Sequence, residues 1–339
     1  MRLLSYRPGV PSHALDVVAV GSAIVDVLTT AADEDVEERG LVKGTMALVD
    51  AERADALYAS MGPAVEVSGG SAANTVAGVA SFGASAAFIG KVRDDQLGQV
   101  FTHDIRAIGV EFGTAPATEG PATARCLVMV TPDAQRTMST YLGAATGLAP
   151  GDIDPAVVAR ARYTYLEGYL WDPPEAIEAL RRAVGLSHDA GGRVALSLSD
   201  PFCVDRHREA FVDFIAGEVD VLFANEAEIM SLFEVASLGD ALGLLPGHCD
   251  VAAVTRGAHG SVVVSADAVI ETPAAPVEHV VDTTGAGDLY AAGFLYGLVS
   301  GADMGRCARL GGIAAAEVIS HIGARPQVPL STLVDGLGG

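Results

Sequence analysis

The chain has 339 residues, 50% of them hydrophobic, and its 21 Lys and Arg against 43 Asp and Glu leave a formal net charge of −22. This apolar content supports a large packed core and excludes a disordered chain. So acidic a protein repels nucleic acid and anionic membrane surfaces, so neither is expected as a partner, and a site for an anion must build its own positive potential locally.

The first dozen residues, with Pro8, Gly9 and Pro11, read as a loose leader without the apolar run of a secretory signal. A first candidate strand, Asp16–Val20, then runs into Gly21-Ser22-Ala23-Ile24-Val25-Asp26. A dinucleotide-binding fold would carry its GxGxxG turn here, so that class is disfavoured. Asp26 can accept hydrogen bonds from two neighbouring hydroxyls, and it is also explained as a turn aspartate. The stretch Val25–Asp50 breaks the helical rhythm, except at Asp33–Glu38, whose acidic residues suit a solvated helix face.

Next comes Ser68-Gly69-Gly70-Ser71-Ala72-Ala73-Asn74, which opens an amphipathic helix over Ala72–Phe82. Paired glycines before a helix let a ligand approach the backbone closely. Asn74, four residues after Gly70, shares the face of the first turn, and its amide both donates and accepts. A plain helix-start loop accounts for the same pattern. Strand Ala86–Ile89 and helix Gly98–Ile108 follow, and then a second irregular stretch, Glu111–Tyr141, containing a candidate strand at Leu127–Val130.

From Tyr163 the alternation is regular. Strands are expected at Tyr163–Leu166, Arg193–Leu198, Val219–Ala224, Val251–Thr255 and Ser261–Val264, with helices at Glu175–Asp189, His207–Ile215, Glu226–Leu232 and Ala286–Ser300. Repetition of strand, helix, strand implies an α/β fold, with a mainly parallel sheet covered on both faces and ligands bound beyond the carboxyl ends of its strands. The two irregular stretches could form a small accessory β-layer. Asn225-Glu226-Ala227-Glu228 has the spacing of a capping box, and its functional reading places Asn225 and Glu228 near a magnesium–phosphate complex through water. Thr255-Arg256-Gly257-Ala258-His259-Gly260 reads as a hairpin turn or as a wall for a nucleotide.

The strongest signal is Asp282-Thr283-Thr284-Gly285-Ala286-Gly287-Asp288 ahead of a long apolar helix. The first amides of a helix lack intrahelical partners, and with the helix dipole they form an anion site. Asp288 in that first turn suits a general base acting on a hydroxyl nucleophile beside a bound phosphate. A glycine-rich turn with an acidic first-turn residue explains the residues equally well when they are taken alone. No P-loop, HExxH or GxSxG motif occurs, the histidines do not cluster at metal-ligand spacings, and no run of about 18 apolar residues suggests a membrane span. Cys126, Cys203, Cys249 and Cys307 form no CxxC pair, so free thiols in a reducing, cytoplasmic setting are expected.

Together these motifs resemble the PfkB, or ribokinase-like, family of carbohydrate and nucleoside kinases. The stretch from Gly69-Gly70-Ser71 through Asn74 to Gly98 resembles its N-terminal signature, Asp282–Asp288 its C-terminal signature, and Asn225–Glu228 its NxxE motif. The resemblance implies a single kinase domain over 1–339: a ribokinase-like three-layer αβα core plus a small β-sheet lid from about 25–50 and 111–141. It implies ATP as co-substrate, Mg2+, and phosphorylation of a primary hydroxyl by Asp288, with the amides of Gly285, Ala286 and Gly287 as the anion hole.

Within the family the chain is most similar to the adenosine kinase branch. That likeness places Arg136 on the phosphates, and Asp26, Gly69, Gly70, Ser71 and Asn74 on a ribose. It makes Met46, Leu48, Met138, Thr140, Leu142, Tyr169 and Phe202 the walls of a base pocket. ATP would meet Asn225, Thr255, Gly257, Gly260 and Thr284, Glu228 would hold Mg2+ through water, and Asp282 would lie beside a K+ ion. Thr284 stands where eukaryotic adenosine kinases have asparagine, and Met46 where some members carry glutamine. The same chemistry on ribose, fructose, inosine or guanosine is therefore the alternative, and a non-catalytic ligand sensor is the reading from another class. Relatives often dimerise through an exposed lid-sheet edge, so a homodimer is the corresponding expectation.

Overall fold

The computed structural model describes residues 13–133 and 135–334. The expected N-terminal leader lies outside them. The first described strand, β1 (Leu15–Val20), lies inside the main sheet, and its Val17 to Val20 are fully buried. It then builds part of a second sheet: β2 (Ile24–Thr30), the acidic helix α1 (Asp33–Glu38), β3 (Met46–Leu48), α2 (Ala51–Ser60) and β4 (Val65–Gly69). It returns through α3 (Ser71–Ser81), β5 (Ala86–Ile89), α4 (Gln96–Ala107) and β6 (Val110–Phe112), and leaves again for the hairpin β7 (Ala124–Val130) and β8 (Arg136–Tyr141). The rest is core: α5 (Pro155–Val158), β9 (Ala161–Glu167), α6 (Pro174–Asp189), β10 (Arg193–Ser197), α7 (Pro201–Glu218) and β11 (Val221–Asn225). After α8 (Glu226–Phe233) and α9 (Leu238–Leu244) come β12 (Val251–Thr255), β13 (Ser261–Ser265), β14 (Val269–Thr272), α10 (Ala286–Val299), α11 (Met304–Val318) and α12 (Leu330–Val334).

The main sheet has nine strands in the order β14-β13-β12-β11-β10-β9-β1-β5-β6. All pairings are parallel except β12 with β13 and β13 with β14. The period of two along β1 sends Val17 and Ala19 to one apolar layer and Val18 and Val20 to the other. The first layer contains Val76 of α3, Phe101 of α4, Leu289 and Phe294 of α10 and Leu310 of α11; the second contains Leu180 of α6, Phe211 of α7 and Ile229 of α8. This is the expected three-layer αβα core. α10 is apolar on every side and is buried over most of its length, as such a helix must be.

The accessory sheet has the order β3-β8-β7-β2-β4 and differs in detail from the irregular stretches expected for it. Its edge strand β4 falls between those stretches: the short run Val65–Gly69, exposed at Val65 and buried only at Ser68 and Gly69, carries little hydrophobic alternation of its own and takes its strand form from pairing with β2. At Glu111 the chain is still in the main sheet, because β6 pairs in parallel with β5. The strand expected at Leu127–Val130 belongs to β7 and so to the accessory layer. The helix expected from His207 starts six residues earlier, where Asp200 caps it and Pro201 opens it; non-helical torsions at His207 (φ −126°) mark a kink there. All four cysteines are free, and Cys126, Cys203 and Cys307 are buried. No described helix is long and apolar enough to cross a membrane.

Candidate active site

The carboxyl ends of the central strands and the inner face of the accessory sheet enclose a cleft of about 890 Å³. Most of the residues that the two signatures single out converge here, although they come from segments more than 200 positions apart. Ligand sites of parallel sheets lie at such ends, and the volume falls within the usual range for small-molecule sites.

Asp288 sits in the first turn of α10, deep in the cleft. Its Oδ1 accepts from Ser71 Oγ at 2.6 Å and its Oδ2 from Asn74 Nδ2 at 3.0 Å. Burial raises its pKa, while these two donors and the nearby charge of Arg325 lower it. The carboxylate is thus held in one orientation and made more basic than an exposed one. The helix N-cap, Gly285, has φ 78°, and a side chain there would strike Ala324, so this turn needs glycine. Its N–H and that of Gly287 have no partner within the described chain, so they point to an anion site. Ala286 departs from the expected trio because its N–H donates to the Thr283 carbonyl at 3.2 Å.

Across the cleft, Asp26 lies in β2, paired in register with Val67 and Cys126. Its carboxylate lines the cleft and accepts no hydrogen bond from the described residues. Burial pushes its pKa up to about 6, opposed by Arg325 and Arg136 and reinforced by Asp288. Gly69 lies directly against this carboxylate, and Gly70, at φ 97°, against the carbonyl of Ser22; a β-carbon at either would collide. Asn74 keeps one buried acceptor, Oδ1, without a donor. An open carboxylate and an orphaned amide oxygen lining one cleft suit a hydroxylated ligand.

The mouth is apolar. Met46, Leu48, Met138, Thr140, Leu142, Tyr169 and Phe202 all line the cleft, as the sequence suggests. Several are unusually exposed for their type: Leu48 at 64%, Met46 at 49%, Tyr169 at 41% and Phe202 at 76%. Tyr169 is held by Ser199, a non-glycine residue in the left-handed region (φ 73°). Its N–H donates to Ser199 Oγ and its hydroxyl to the Ser199 carbonyl, each at 3.3 Å. A strained residue supporting an exposed ring at a cleft mouth is a feature of binding sites, and the sequence gives no local sign of it.

On the far side, Asn225 and Glu228 form the expected capping box: Asn225 Oδ1 accepts from Glu228 N at 2.9 Å and Glu228 Oε2 from Asn225 N at 2.9 Å. Burial raises Glu228 to about 7. Thr255, Gly257 and Thr284 line the cleft beside it; Gly260 closes the β12–β13 hairpin instead, with its φ of 80° and its Cα against Thr272. Among the described residues no group of three or more His, Cys, Asp or Glu could hold a metal ion. Mg2+ riding on substrate phosphates needs few protein ligands, so a single outer contact at Glu228 fits it. Asp282 does not fit a monovalent cation as it stands. Its oxygens accept from Arg136 Nη1 at 2.8 and 2.7 Å, from Thr284 N at 3.0 Å and from Gly323 N at 2.8 Å, so its charge is already matched. Arg136 therefore reaches the cleft from β8 as one half of a buried ion pair between the accessory sheet and the loop that leads into α10, with its Nε unpartnered.

Charged residues that escaped the sequence reading also belong to the site: Asp172, Asp200 and Arg206 line the cleft, and Glu167 and Arg325 brace it. Glu167, fully buried at the end of β9, accepts from Ser22 N at 2.7 Å and Ala72 N at 3.0 Å, and so joins the β1–β2 turn to the start of α3. Burial raises it to about 7. Arg325 reaches the Gly69–Gly70 turn from beyond α11. Neither stands in a local motif, and their partners are 95 to 257 positions away.

The arrangement suits group transfer to a hydroxyl: a carboxylate held in place at Asp288, unpartnered helix-terminal amides that could receive an anion, and an open carboxylate at Asp26 that could receive neighbouring hydroxyls. Comparison with known proteins agrees. The family model for pfkB family carbohydrate kinases matches residues 48–330. The fold is similar to that of adenosine kinase from Sinorhizobium meliloti, at 50% identity and a TM-score of 0.89, covering 96% of this chain and 99% of that one. A probable sugar kinase protein from Rhizobium etli CFN 42 aligns as well, at 47% identity and a TM-score of 0.89 over 96% and 98% of the two chains. Among curated relatives, 5-dehydro-2-deoxygluconokinase of Bacillus subtilis (strain 168) is 25% identical over 96% of both chains. The chain belongs to the pfkB family of carbohydrate kinases and is a phosphotransferase with a hydroxyl group as acceptor.

Proposed function

We propose that the protein transfers a phosphoryl group from ATP to the 5′-hydroxyl of adenosine, giving AMP in purine salvage. The observation that carries this reading is the pairing of an open carboxylate at Asp26 with an exposed apolar mouth at Met46, Leu48, Tyr169 and Phe202. A ribose diol suits the first and a flat purine the second. A free sugar would leave the mouth uncovered. The 50% identity to an adenosine kinase points the same way.

On this reading Asp26 accepts from the ribose hydroxyls, and Asn74 Oδ1 takes a further one. Asp288, held by Ser71 and Asn74, takes the proton of the 5′-hydroxyl as its oxygen attacks the γ-phosphorus. The N–H groups of Gly285 and Gly287 and the guanidinium of Arg136 hold the charge on the migrating group. Glu228 would hold Mg2+ through water, and the ion would supply further neutralisation of charge on the phosphates. Closure of the accessory sheet over the mouth excludes water that would otherwise hydrolyse ATP.

A free sugar as acceptor is the second reading, favoured by the curated gluconokinase relative. An ATP-coupled ADP-release assay over adenosine, inosine, guanosine, ribose and fructose separates them. Adenosine should show the highest kcat/KM. A sugar in first place overturns the adenosine assignment, and binding without ADP release from any acceptor overturns the kinase mechanism.

A further inference from the structure

The segment that follows α11 touches the site at three successive residues. Gly323 donates its N–H to Asp282, Ala324 lies against the Cα of Gly285, and Arg325 extends to the Gly69–Gly70 turn. The guanidinium of Arg325 forks around that turn. Nε and Nη2 donate to the Ser68 carbonyl at 3.0 and 2.8 Å, Nη2 also to Ser68 Oγ at 3.0 Å, and Nη1 to the Ala73 carbonyl at 2.8 Å. Ser68 is completely buried, and its N–H and Oγ donate to Asp104 Oδ2 at 2.8 and 2.6 Å. Ser68 lies in the accessory sheet, next to the last residue of β4, whereas Ala73 lies in the first turn of a core helix. One cation thus ties the two layers together exactly where the backbone turns through glycine. Between its two anchor points lie Ser71 and, one residue beyond, Asn74, the two side chains that hold Asp288.

We propose that Arg325 is a positioning residue for phosphoryl transfer: gripping Ser68 and Ala73, it fixes the turn that orients Asp288. This deepens the proposed function and rests on Asp288 being the base. The groups around it are Asp104 of α4, Asp26 of β2 and Asp288 of α10, with Arg136 of β8 acting on Asp26 from the other side. Glu167, Tyr165, Tyr169 and Glu228 also face Asp288, but Arg325 is not among the charges that perturb them. Removing the guanidinium therefore moves the titration of Asp26 and Asp288 upward and leaves the others in place.

The test uses the full chain, ATP and the best acceptor of the panel above, with thermal melting as a folding control. Arg325→Gln should lower kcat by about 10²-fold, the scale of an ångström's misplacement of a reacting group. It should also shift the acid limb of the kcat/KM profile upward by at least ~0.5 pH unit. Arg325→Lys keeps the charge and loses the fork, so its acid limb should return to the wild-type position while kcat stays low. A purely structural arginine would move neither limb. If Arg325→Gln does not fold, Arg325→Lys decides: a lowered kcat at wild-type melting point and acceptor KM supports the inference, and a wild-type kcat, or a loss of kcat only in step with a lowered melting point, overturns it. Asp288→Asn, measured alongside, separates the two failures. Near-normal turnover there removes the base itself, whereas a crippled Asp288→Asn beside a wild-type-like Arg325→Gln overturns only the role given to Arg325.

Discussion

Replacing Asp26 by asparagine should make the ligand-free protein more stable and a worse enzyme at once. Burial in the cleft raises this carboxyl from an ordinary 3.8 to about 6, so the folded chain holds the proton longer than the unfolded one. A raised carboxyl costs stability as pH climbs through the window between the two values, and the full penalty stands above about pH 6. Some two pH units at about 1.36 kcal/mol each give a ceiling of ~3 kcal/mol near neutrality. The side chain opens on the cleft, so solvent carries part of the load, and a gain of ~1–2 kcal/mol is expected for Asp26→Asn. With an unfolding entropy of about 2.1 cal/mol/K per residue over 339 residues, that is a rise of about 1–3 °C in Tm. The gap should narrow to about half at pH 5, because only the wild type titrates there. Substrate binding should move the other way. Exchanging two charge-assisted hydrogen bonds for neutral ones loses about 2–3 kcal/mol, which is ~30–150-fold in the acceptor KM. Scanning calorimetry of both proteins near pH 7.5 and pH 5, with steady-state kinetics, measures all three effects. A variant that melts below the wild type near pH 7.5, or one with unchanged KM, refutes the reasoning.

Further outcomes follow from the same geometry. Gly70→Ala forces a β-carbon against the Ser22 carbonyl at φ 97° and should destabilise the fold by about 1–3 kcal/mol from backbone strain alone, read as a lowered urea midpoint; an unchanged midpoint would mean that the turn tolerates a side chain. Arg136→Met leaves Asp282 buried with only the amides of Thr284 and Gly323, at a cost of about 3 kcal/mol, the low end for breaking a buried pair. Adding Asp282→Asn should recover much of that loss in a double-mutant cycle, and strict additivity would deny the pair any coupling.

The layers of this fold are written locally and the site only in part. β1, β5 and β12 are legible because each is a short apolar run with turn residues at its ends, and α10 because it is long, apolar and opened by Gly285-Ala286-Gly287. β4 is not, because Val65-Glu66-Val67 at a sheet edge has only one partner strand and little to bury. α11 is equally quiet: Gly305, Gly311 and Gly312 dilute its helical period, and close packing on α10 makes it a core helix. The glycines and acids of the site announce themselves because turns and anion sites need particular residues at fixed spacing. Glu167 and Arg325 do not, since each acts on main-chain groups that only tertiary folding brings within reach. The sequence also supplies Arg136 and Asp282 as separate candidates, without sign that they neutralise one another.

The central claim is that Asp288 removes the proton of the acceptor hydroxyl beside the start of α10. Asp288→Asn tests it most directly, because asparagine keeps the shape of the side chain and its contact with Ser71 while losing the basic oxygen. Turnover should fall by at least ~10²-fold, the scale of a general base, while ATP binding measured by calorimetry stays within a few-fold of the wild type. A variant that turns over at nearly the wild-type rate would contradict the account.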